Sequence, residues 1–192
     1  IQCKPGDIVI LNDPYLGGTH LPDITLVAPV YIETSDVAPV LVGFVANRGH
    51  HADVGGKTPG SLSISKELYE EGIIIPPVKL FEERKINQPL IDLITRNSRI
   101  PDQRRGDFSA QIAAIRTGEK RMLALVARYR LEVIQEHMDA LLDYSETLTR
   151  EGLSRIPNGE YVFSDSMDGD GIAGKEIPIV CKAVVQDGEI IF

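Results

Sequence analysis

The feature that most constrains the fold is the spacing of apolar residues, which changes twice along the chain. From Ile1 to about Leu80, short runs rich in Val, Ile, Phe and Tyr alternate with Pro and Gly clusters, as in strands joined by turns. From Leu90 to about Arg155, apolar residues recur at three- and four-residue steps, which indicates helices. From Ile156 onward the pattern is again β-type. We therefore predict an α+β (mixed α/β) fold in three segments: 1–89, 90–155 and 156–192.

Strands are predicted in the first and third segments. Residues 8–11 and 40–45 are continuously apolar rather than alternating, which predicts strands that are covered on both faces. These strands are expected to be joined by Gly-rich loops. Near the end of the chain, Asp187 and Gly188 separate two apolar runs and predict the turn of a C-terminal β-hairpin.

The middle segment is expected to hold a short helix and then a long helical stretch. The passage "NQPLIDLITRNSR" predicts a short helix that starts near Pro89, and Asp107 is expected to cap the long stretch that follows. Glycine is unfavourable in a helix interior, so a break is expected near Gly118 or near Arg130. The product would be a helical hairpin or one long bent helix.

Composition and charge exclude several classes of function. The net charge is -8 and the chain has no basic block, which argues against nucleic acid as a partner. No apolar run approaches the roughly 20 residues that cross a bilayer, so we expect no membrane partner and a cytoplasmic location. Cys3 and Cys181 make no disulfide framework, and whether they meet is left open. The missing initial methionine and the strand-like "DGEIIF" ending indicate a fragment of a longer protein.

Two passages of the β-rich segment combine histidine with aspartate. In "NDPYLGGTHLPD" His20 precedes Asp23, and in "NRGHHADVGG" the pair His50 and His51 precedes Asp53. Imidazole nitrogen together with carboxylate oxygen suits zinc, manganese or iron, whereas calcium and magnesium take oxygen ligands almost exclusively. The two passages are therefore candidates for one metal or catalytic site.

The position of these passages supports that reading. Each begins where an apolar run ends, at Leu11 and at Val45 and Ala46. If the two strands are neighbours and parallel, both loops emerge at the same edge of the sheet. Neither double-glycine loop has the spacing of a dinucleotide fingerprint or of a phosphate loop, so no nucleotide site is expected in this chain.

A purely structural reading is equally open from the pattern alone. Gly- and Asp-rich loops are ordinary turns, and a His–Asp pair can be a hydrogen-bonded clamp. Arg48 could bind a substrate anion or form a salt bridge with a neighbour. His137, alone in the helical segment, is interpreted as a partly exposed helix residue.

Four motifs resemble a known family. They are "GDIVILNDPYLGGTHLPDITLVAPV", "VANRGHHADVGGKTPGS", "EEGIIIPPVKL" and "RRGDFSAQIAAIRTGEKRM". In this order they resemble the hydantoinase B/oxoprolinase family, which includes the B subunit of N-methylhydantoinase, the corresponding half of 5-oxoprolinase and the related subunit of acetone carboxylase. The resemblance covers essentially the whole chain, and family members are considerably longer than 192 residues.

The resemblance implies one component of an ATP-dependent hydrolase that acts on cyclic amides. An A-type ATPase partner would phosphorylate the carbonyl oxygen of a small-molecule substrate, and the B-type component would open the hydantoin or lactam ring. ATP would be bound by the partner and not by this chain. Two alternatives are an acetone carboxylase-like carboxylation of a ketone, and a non-catalytic scaffold that docks the ATPase partner. The isolated fragment is expected to be inactive.

The resemblance also implies a set of site residues. A divalent metal (Mn, Zn or Fe) would be held first by His20 and Asp23, with His50 or His51 completing the set and Asp13 as the next candidate. The histidine that does not bind the metal, or Asp53, would act as general base. Arg48 would neutralise the phosphate. In the resulting assignment the metal ligands are His20, Asp23, His50 and Asp13, and the catalytic residues are His51, Asp53 and Arg48.

Overall fold

A computed structural model describes residues 1–33 and 37–192 and has the mixed α+β architecture that the apolar spacing predicts. The strands are β1 (Ile8–Leu11), β2 (Asp23–Ile32), β3 (Val40–His50), β4 (Val78–Glu82), β5 (Lys85–Ile86), β6 (Gly159–Met167), β7 (Ile177–Gln186) and β8 (Glu189–Ile191). The helices are α1 (Gln88–Arg96), α2 (Pro101–Tyr129) and α3 (Leu131–Leu153), with a 3-10 turn at Leu68–Glu70. In the described part of the chain, no helix is both long and apolar enough to cross a membrane.

The chain forms two compact units, Ile1–Leu131 and Glu132–Phe192. The boundary between them falls inside the segment 90–155, so the units cut across the predicted division by secondary-structure type. Unit 1 contains β1 to β5, α1 and α2, and unit 2 contains nearly all of α3 together with β6 to β8.

Unit 1 is built on a five-stranded antiparallel sheet with the strand order β3-β2-β1-β4-β5. Because β2 is antiparallel to both of its neighbours, β1 and β3 run in the same direction on either side of it. The end of β1, the start of β2 and the end of β3 therefore lie together along the side of the sheet that is formed by strand ends, which we call the shared edge. The shared edge is as expected. The runs 8–11 and 40–45 form strands that point in the same direction, but the assumption that these strands are neighbours is wrong, because β2 lies between them.

The two continuously apolar runs have different environments. All four residues of β1 are buried, so the prediction of a strand covered on both faces is confirmed there. For β3 it is wrong: Phe44 is 55% exposed, and Val40 and Leu41 are also exposed. The reason is that α2 packs on one face of β3 and leaves the other face open, so that burial alternates along most of the strand. It also continues past Val45 as far as His50, which places the second His/Asp passage partly inside the strand.

The starts of α1 and α2 follow two different local rules. Asn87 caps α1 with its side chain, and Pro89 lies in the first turn as predicted. Helix α2 begins at Pro101, whose fixed φ suits a first helical position. The prediction that Asp107 caps this helix is therefore wrong. Asp107 lies one and a half turns inside α2, where its carboxylate pairs with Arg104 at 2.9 Å.

One face of α2 packs against the sheet along a single stripe. The buried residues of the helix are Arg104, Phe108, Gln111 and Ile115, which follow each other at four-, three- and four-residue steps. Phe108 and Ile115 join the core that Ile24 and Leu26 of β2 form with other buried apolar residues. The stripe thus places α2 behind the face of β2 that carries the even-numbered residues from Ile24 to Val30.

Glycine allows α2 to approach the sheet closely. A Cβ atom at Gly118 would lie 3.1 Å from Val45, which is tighter than ordinary packing, and the helix is not interrupted there. The break comes at Arg130, where φ is +71° and α2 ends. Of the two predicted positions for a break, Arg130 is the right one.

Unit 2 carries a three-stranded antiparallel sheet with the order β6-β7-β8. Its β7–β8 turn is formed by Asp187 and Gly188, both with positive φ (+51° and +79°), as a type I′ turn requires. The amide of Asn158 donates to the Asp187 carboxylate at 3.0 Å and holds the turn. The predicted C-terminal hairpin is confirmed, and β6 extends it by one strand.

Candidate functional site

The structure brings His20, Asp23 and His50 together at the shared edge of the sheet. Asp23 is the first residue of β2 and lies opposite His50, the last residue of β3. His20 is in the loop that leads into β2. The Nδ1 atoms of His20 and His50 each lie 3.0 Å from a carboxylate oxygen of Asp23, one on Oδ2 and the other on Oδ1. One acidic side chain thus bridges two imidazoles.

The buried side chain of Asn12 holds the loop before β2 in place. This buried side chain donates to the carbonyl groups of Leu21 and Ile73, at 2.8 and 2.9 Å, and accepts from the backbone N–H of Ile75. A Cβ atom at Gly18 would lie 2.3 Å from the carbonyl oxygen of Asn12, so only glycine fits where the loop folds back. These contacts fix the conformation of the polar passage after β1, which places His20 at the edge of the sheet.

Asp13 is the one predicted ligand that the structure does not bring to this group. Its carboxylate accepts the backbone N–H of Tyr15 at 2.9 Å, and its carbonyl accepts from Leu16 and Gly18. The bond to the carboxylate is that of an Asx turn, and the bonds to the carbonyl belong to the backbone turn that follows. The structural reading therefore describes Asp13 better than the ligand reading.

Asp23 is held in its charged form by its neighbours. Partial burial acts to raise the pKa of this carboxyl, but hydrogen bonds from His50 and Thr19 and the charge of His20 outweigh it, and the net pKa is below the ordinary value. The side chain of Asp23 is 20% exposed, that of His20 38% and that of His50 51%. The cluster is therefore anionic at its centre and open to small molecules.

Arg48 lies beside the cluster, two residues before His50 on the same face of β3. Its Nε donates to Thr25 at 3.0 Å and its Nη1 to Thr19 at 3.1 Å, and the Thr19 hydroxyl in turn donates to Asp23. Among the described residues these threonines, and not a carboxylate, are the side-chain partners of Arg48. Of the two readings left open, the salt bridge is thus not seen, and the positive charge remains available for an anion.

His51 points into the protein instead. It is 1% exposed, its ring packs on Phe108 with centroids 4.8 Å apart, and its Nε2 lies 2.9 Å from the side-chain oxygen of Gln111. Burial lowers the pKa of this imidazole, which favours the neutral form. Within the described residues Nδ1 has no hydrogen-bond partner. A proton acceptor in this position has no access to a substrate.

Asp53 is likewise part of the interior, with 3% exposure. Its carboxylate accepts hydrogen bonds from Gly55, from the hydroxyl of Ser98, and from both the backbone and the guanidinium of Arg99. Burial acts to raise the pKa of Asp53, but these hydrogen bonds and the charge of Arg99 outweigh it, so the pKa is lowered. The carboxylate ties the loop after β3 to the connection between α1 and α2. This position favours a structural role over the predicted catalytic one.

The residues of the cluster fit a divalent transition ion. His20, Asp23 and His50 offer two nitrogen ligands and one oxygen ligand, and these atoms lie within 4.8 Å of one another. Ligand atoms around a tetrahedral ion with bonds of about 2.1 Å are about 3.4 Å apart, so small side-chain rotations would close the site. Nitrogen with oxygen is also a donor set that calcium and magnesium do not favour. Three ligands leave further coordination positions open.

Comparison with known proteins identifies what this chain is similar to. The family model described as hydantoinase B/oxoprolinase matches residues 1–192. A 5-oxoprolinase of Dictyostelium discoideum is 37% identical over 86% of this chain and 13% of its own length. The crystal structure of the ATP-dependent caprolactamase from Pseudomonas jessenii superposes with a TM-score of 0.88 and 27% identity, over 98% of this chain and 32% of that one.

A second solved structure, nucleotide-free acetone carboxylase, has a TM-score of 0.75 over 96% of this chain and 26% of that one. At 18% identity this likeness shows a shared fold. The chain spans about a third or less of the length of the first curated relatives that it matches.

Proposed function

The chain belongs to the hydantoinase B/oxoprolinase family, and from that premise we propose that it forms the metal-binding part of an ATP-dependent enzyme that opens cyclic amides. The observation that carries the proposal is the joint contact of His20 and His50 with Asp23 at the open edge of the sheet. In the proposal these three side chains hold a Mn, Zn or Fe ion. When bound, such an ion supplies Lewis acidity next to the substrate.

The protein's own groups prepare this site in the absence of substrate. Asp23 carries a full negative charge, which favours a cation between the two imidazoles. Thr19 and Thr25 fix the guanidinium of Arg48 beside the cluster, and they occupy only two of its N–H donors. In the proposal the remaining donors of Arg48 bind the phosphate of an activated substrate, since guanidinium pairs with phosphate in a two-point geometry.

The names of the relatives support the proposed reaction, and the motifs of this chain support the proposed partner. The named relatives include a 5-oxoprolinase and an ATP-dependent caprolactamase, whose substrates are lactams by name. The sequence motifs of this chain contain no phosphate loop, so in the proposal an A-type ATPase component binds ATP and phosphorylates the cyclic amide. The greater identity to the lactam-cleaving relatives favours ring opening over the acetone carboxylase-like alternative, for which the fold is the shared feature.

The decisive experiment compares two histidine variants in the complete two-component enzyme. His20→Ala removes a proposed ligand, whereas His137→Ala removes an exposed histidine of α3 and serves as the matched control. We expect His20→Ala to lose the bound ion, measured by elemental analysis, and the ATP-dependent opening of 5-oxoproline, hydantoin or caprolactam. His137→Ala should keep both.

Two other results would change the conclusion. Unchanged turnover in His20→Ala would rule out the metal-assisted reaction at this cluster. A wild-type enzyme that turns over substrate while it contains no stoichiometric ion would favour the scaffold alternative, in which these loops only dock the ATPase component.

A further inference from the structure

Gln111 of α2 contacts the chain directly beside two of the proposed metal ligands, from the opposite face of the sheet. Its side chain reaches Ile24, the residue after Asp23, and His51, the residue after His50. We propose that Gln111 is a positioning residue that sets the separation of Asp23 and His50 and thereby the affinity of the site for its ion. The inference rests on the proposed function, because it assigns a role to Gln111 toward that same site.

The contact with β2 is a buried hydrogen bond. Gln111 Nε2 donates to the carbonyl oxygen of Ile24 at 2.9 Å, across 87 positions of sequence. That carbonyl belongs to the residue whose side chain points into the core while Asp23 points to the open face. Any displacement of the Ile24 carbonyl therefore moves the backbone that carries Asp23.

The contact with β3 involves Asn47 and Gly49. Gln111 Nε2 also donates to the side-chain oxygen of Asn47 at 3.0 Å, and the Asn47 amide donates to the backbone carbonyl of Gln111 at 2.8 Å. A Cβ atom at Gly49 would lie 3.0 Å from the Gln111 carboxamide, so the absence of a side chain at Gly49 leaves room for it. Gln111 thus contacts the residue before His50 in β3 and also His51, the residue that follows the strand.

The hydrogen-bond pattern also fixes the tautomer of His51. Carbonyl oxygens only accept, so the nitrogen of the Gln111 amide must face Ile24, and its oxygen must face His51. The Nε2 atom of His51 therefore carries the hydrogen, and Nδ1 is left as a bare acceptor that finds no partner in the described part of the chain. The ring of His51 also packs against Phe108. The contacts with Phe108 and Gln111 together fix the orientation of His51, and thereby hold the backbone of the preceding residue, His50.

The metal affinity of a pair of ligands depends on the residues that hold those ligands in position. Side chains that orient metal ligands affect metal affinity by about 10- to 100-fold when they are replaced. Gln111 does this through the backbone of both strands, since among its described hydrogen bonds none goes to His20, Asp23 or His50. The role is consequently one of geometry, and it differs from that of a group that touches substrate or metal.

The test uses the full chain with Gln111→Met, which keeps the length of the side chain and removes both polar atoms. We expect the affinity for Zn or Mn, measured by competition with a chromophoric chelator, to fall by about 10-fold, the low end of that range, because Gln111 acts through the backbone. Gln103→Met makes the same substitution on the exposed face of α2 and should leave the affinity unchanged.

Two further variants separate positioning from general destabilisation. Ile115→Val loosens the same helix–sheet contact without touching the residues beside the ligands, so it should lower the unfolding temperature and leave the affinity unchanged. Gly49→Ala places a methyl group against the Gln111 carboxamide and displaces it. It should lower the metal affinity several-fold, whereas Ile115→Val, at a similar loss of unfolding temperature, should not.

A measurement without metal decides the inference independently of the proposed function. In 15N spectra of the imidazoles, Gln111→Met should shift the resonances of His50 and change the tautomer of His51, whereas Ile115→Val should not. Unshifted His50 resonances, or equal loss of affinity in Gln111→Met and Ile115→Val, would overturn the role of Gln111. If the wild-type chain binds no metal while Gln111→Met still shifts the His50 resonances, the proposed metal site is overturned and the positioning role of Gln111 remains.

Discussion

His50 and His51 are adjacent in the chain, yet they lie in opposite environments. His50 ends β3 on the open face of the sheet and shares Asp23 with His20, whereas His51 is enclosed between Phe108 and Gln111. The two aspartates differ in the same way, since Asp23 faces solvent and Asp53 is enclosed by hydrogen-bond donors. The direction in which each side chain points, and not the residue type, decides which His/Asp pair is available for chemistry.

The first prediction, with the largest expected effect, is that replacement of Asp53 mainly lowers stability, whereas replacement of Asp23 mainly removes metal binding. Asp53→Ala should lower the free energy of unfolding by about 3 kcal/mol or more, because it leaves Arg99 and the donors around it without their acceptor. Asp23→Ala, at the open edge, should change the free energy of unfolding by less than about 1 kcal/mol and abolish metal binding. Chemical denaturation and elemental analysis measure the two effects. Equal destabilisation by both variants would contradict the comparison.

The second prediction concerns the pH dependence of the enclosed carboxylates, and the effect should be smaller because protonation keeps the side chain in place. Asp7, just before β1, is also enclosed, and its carboxylate accepts hydrogen bonds from the backbone N–H groups of Lys4 and Glu83. Burial opposes ionisation of Asp7 and Asp53, but their hydrogen bonds outweigh it and hold both pKa values below the ordinary value. The stabilisation is therefore complete above about pH 5 and is lost as pH falls through the folded-state pKa values.

The measurement for this second prediction is the free energy of unfolding between pH 6 and pH 2. It should decline over the acidic part of that range, and Asp53→Asn should show a shallower decline from a lower starting value. A decline that is equally steep in Asp53→Asn would show that Asp53 does not contribute to acid sensitivity.

The third and smallest effect distinguishes the two sides of α2. Gly106 has open space around it, so Gly106→Ala should stabilise the protein by up to about 1 kcal/mol through helix propensity alone. Gly118 lies against Val45 on the sheet side, and the added methyl group should cancel that gain. Thermal unfolding of the two variants measures the difference. An equal gain at both positions would indicate that the helix can move away from the sheet.

Local sequence signals predict elements well when the controlling interactions are local. Pro89 and the turn at Asp187 and Gly188 are examples, since each acts within a few residues. A cap at Asp107 predicts that α2 starts at Phe108, seven residues later than observed, because the prediction uses the capping preference of Asp107 and leaves out the fit of Pro101 to a first helical position. Both are local signals, and only the observed backbone decides between them.

The candidate site was partly accessible from sequence for a different reason. The residue types of the two passages are the basis for the proposed chemistry, and the strand ends indicate the edge at which His20, Asp23 and His50 meet. The choice between His50 and His51 depends on where β3 ends, which the apolar run placed too early, at Val45.

Gln111 was missed because its partners lie up to 87 positions away in sequence. A signal for it does exist: it occupies a buried position between Phe108 and Ile115 in the apolar stripe of α2. A polar side chain at such a position must find hydrogen-bond partners inside the protein.

The pairing of β2 with β3 has a consequence for folding. Asp23 and His50 are partners in one register only, and a slip by a single residue would turn one of them toward the core. A cation bound by both side chains would therefore cross-link the open end of the hairpin, between two residues that are 27 positions apart in sequence. Such a cross-link would favour the correct register of the two strands over shifted registers.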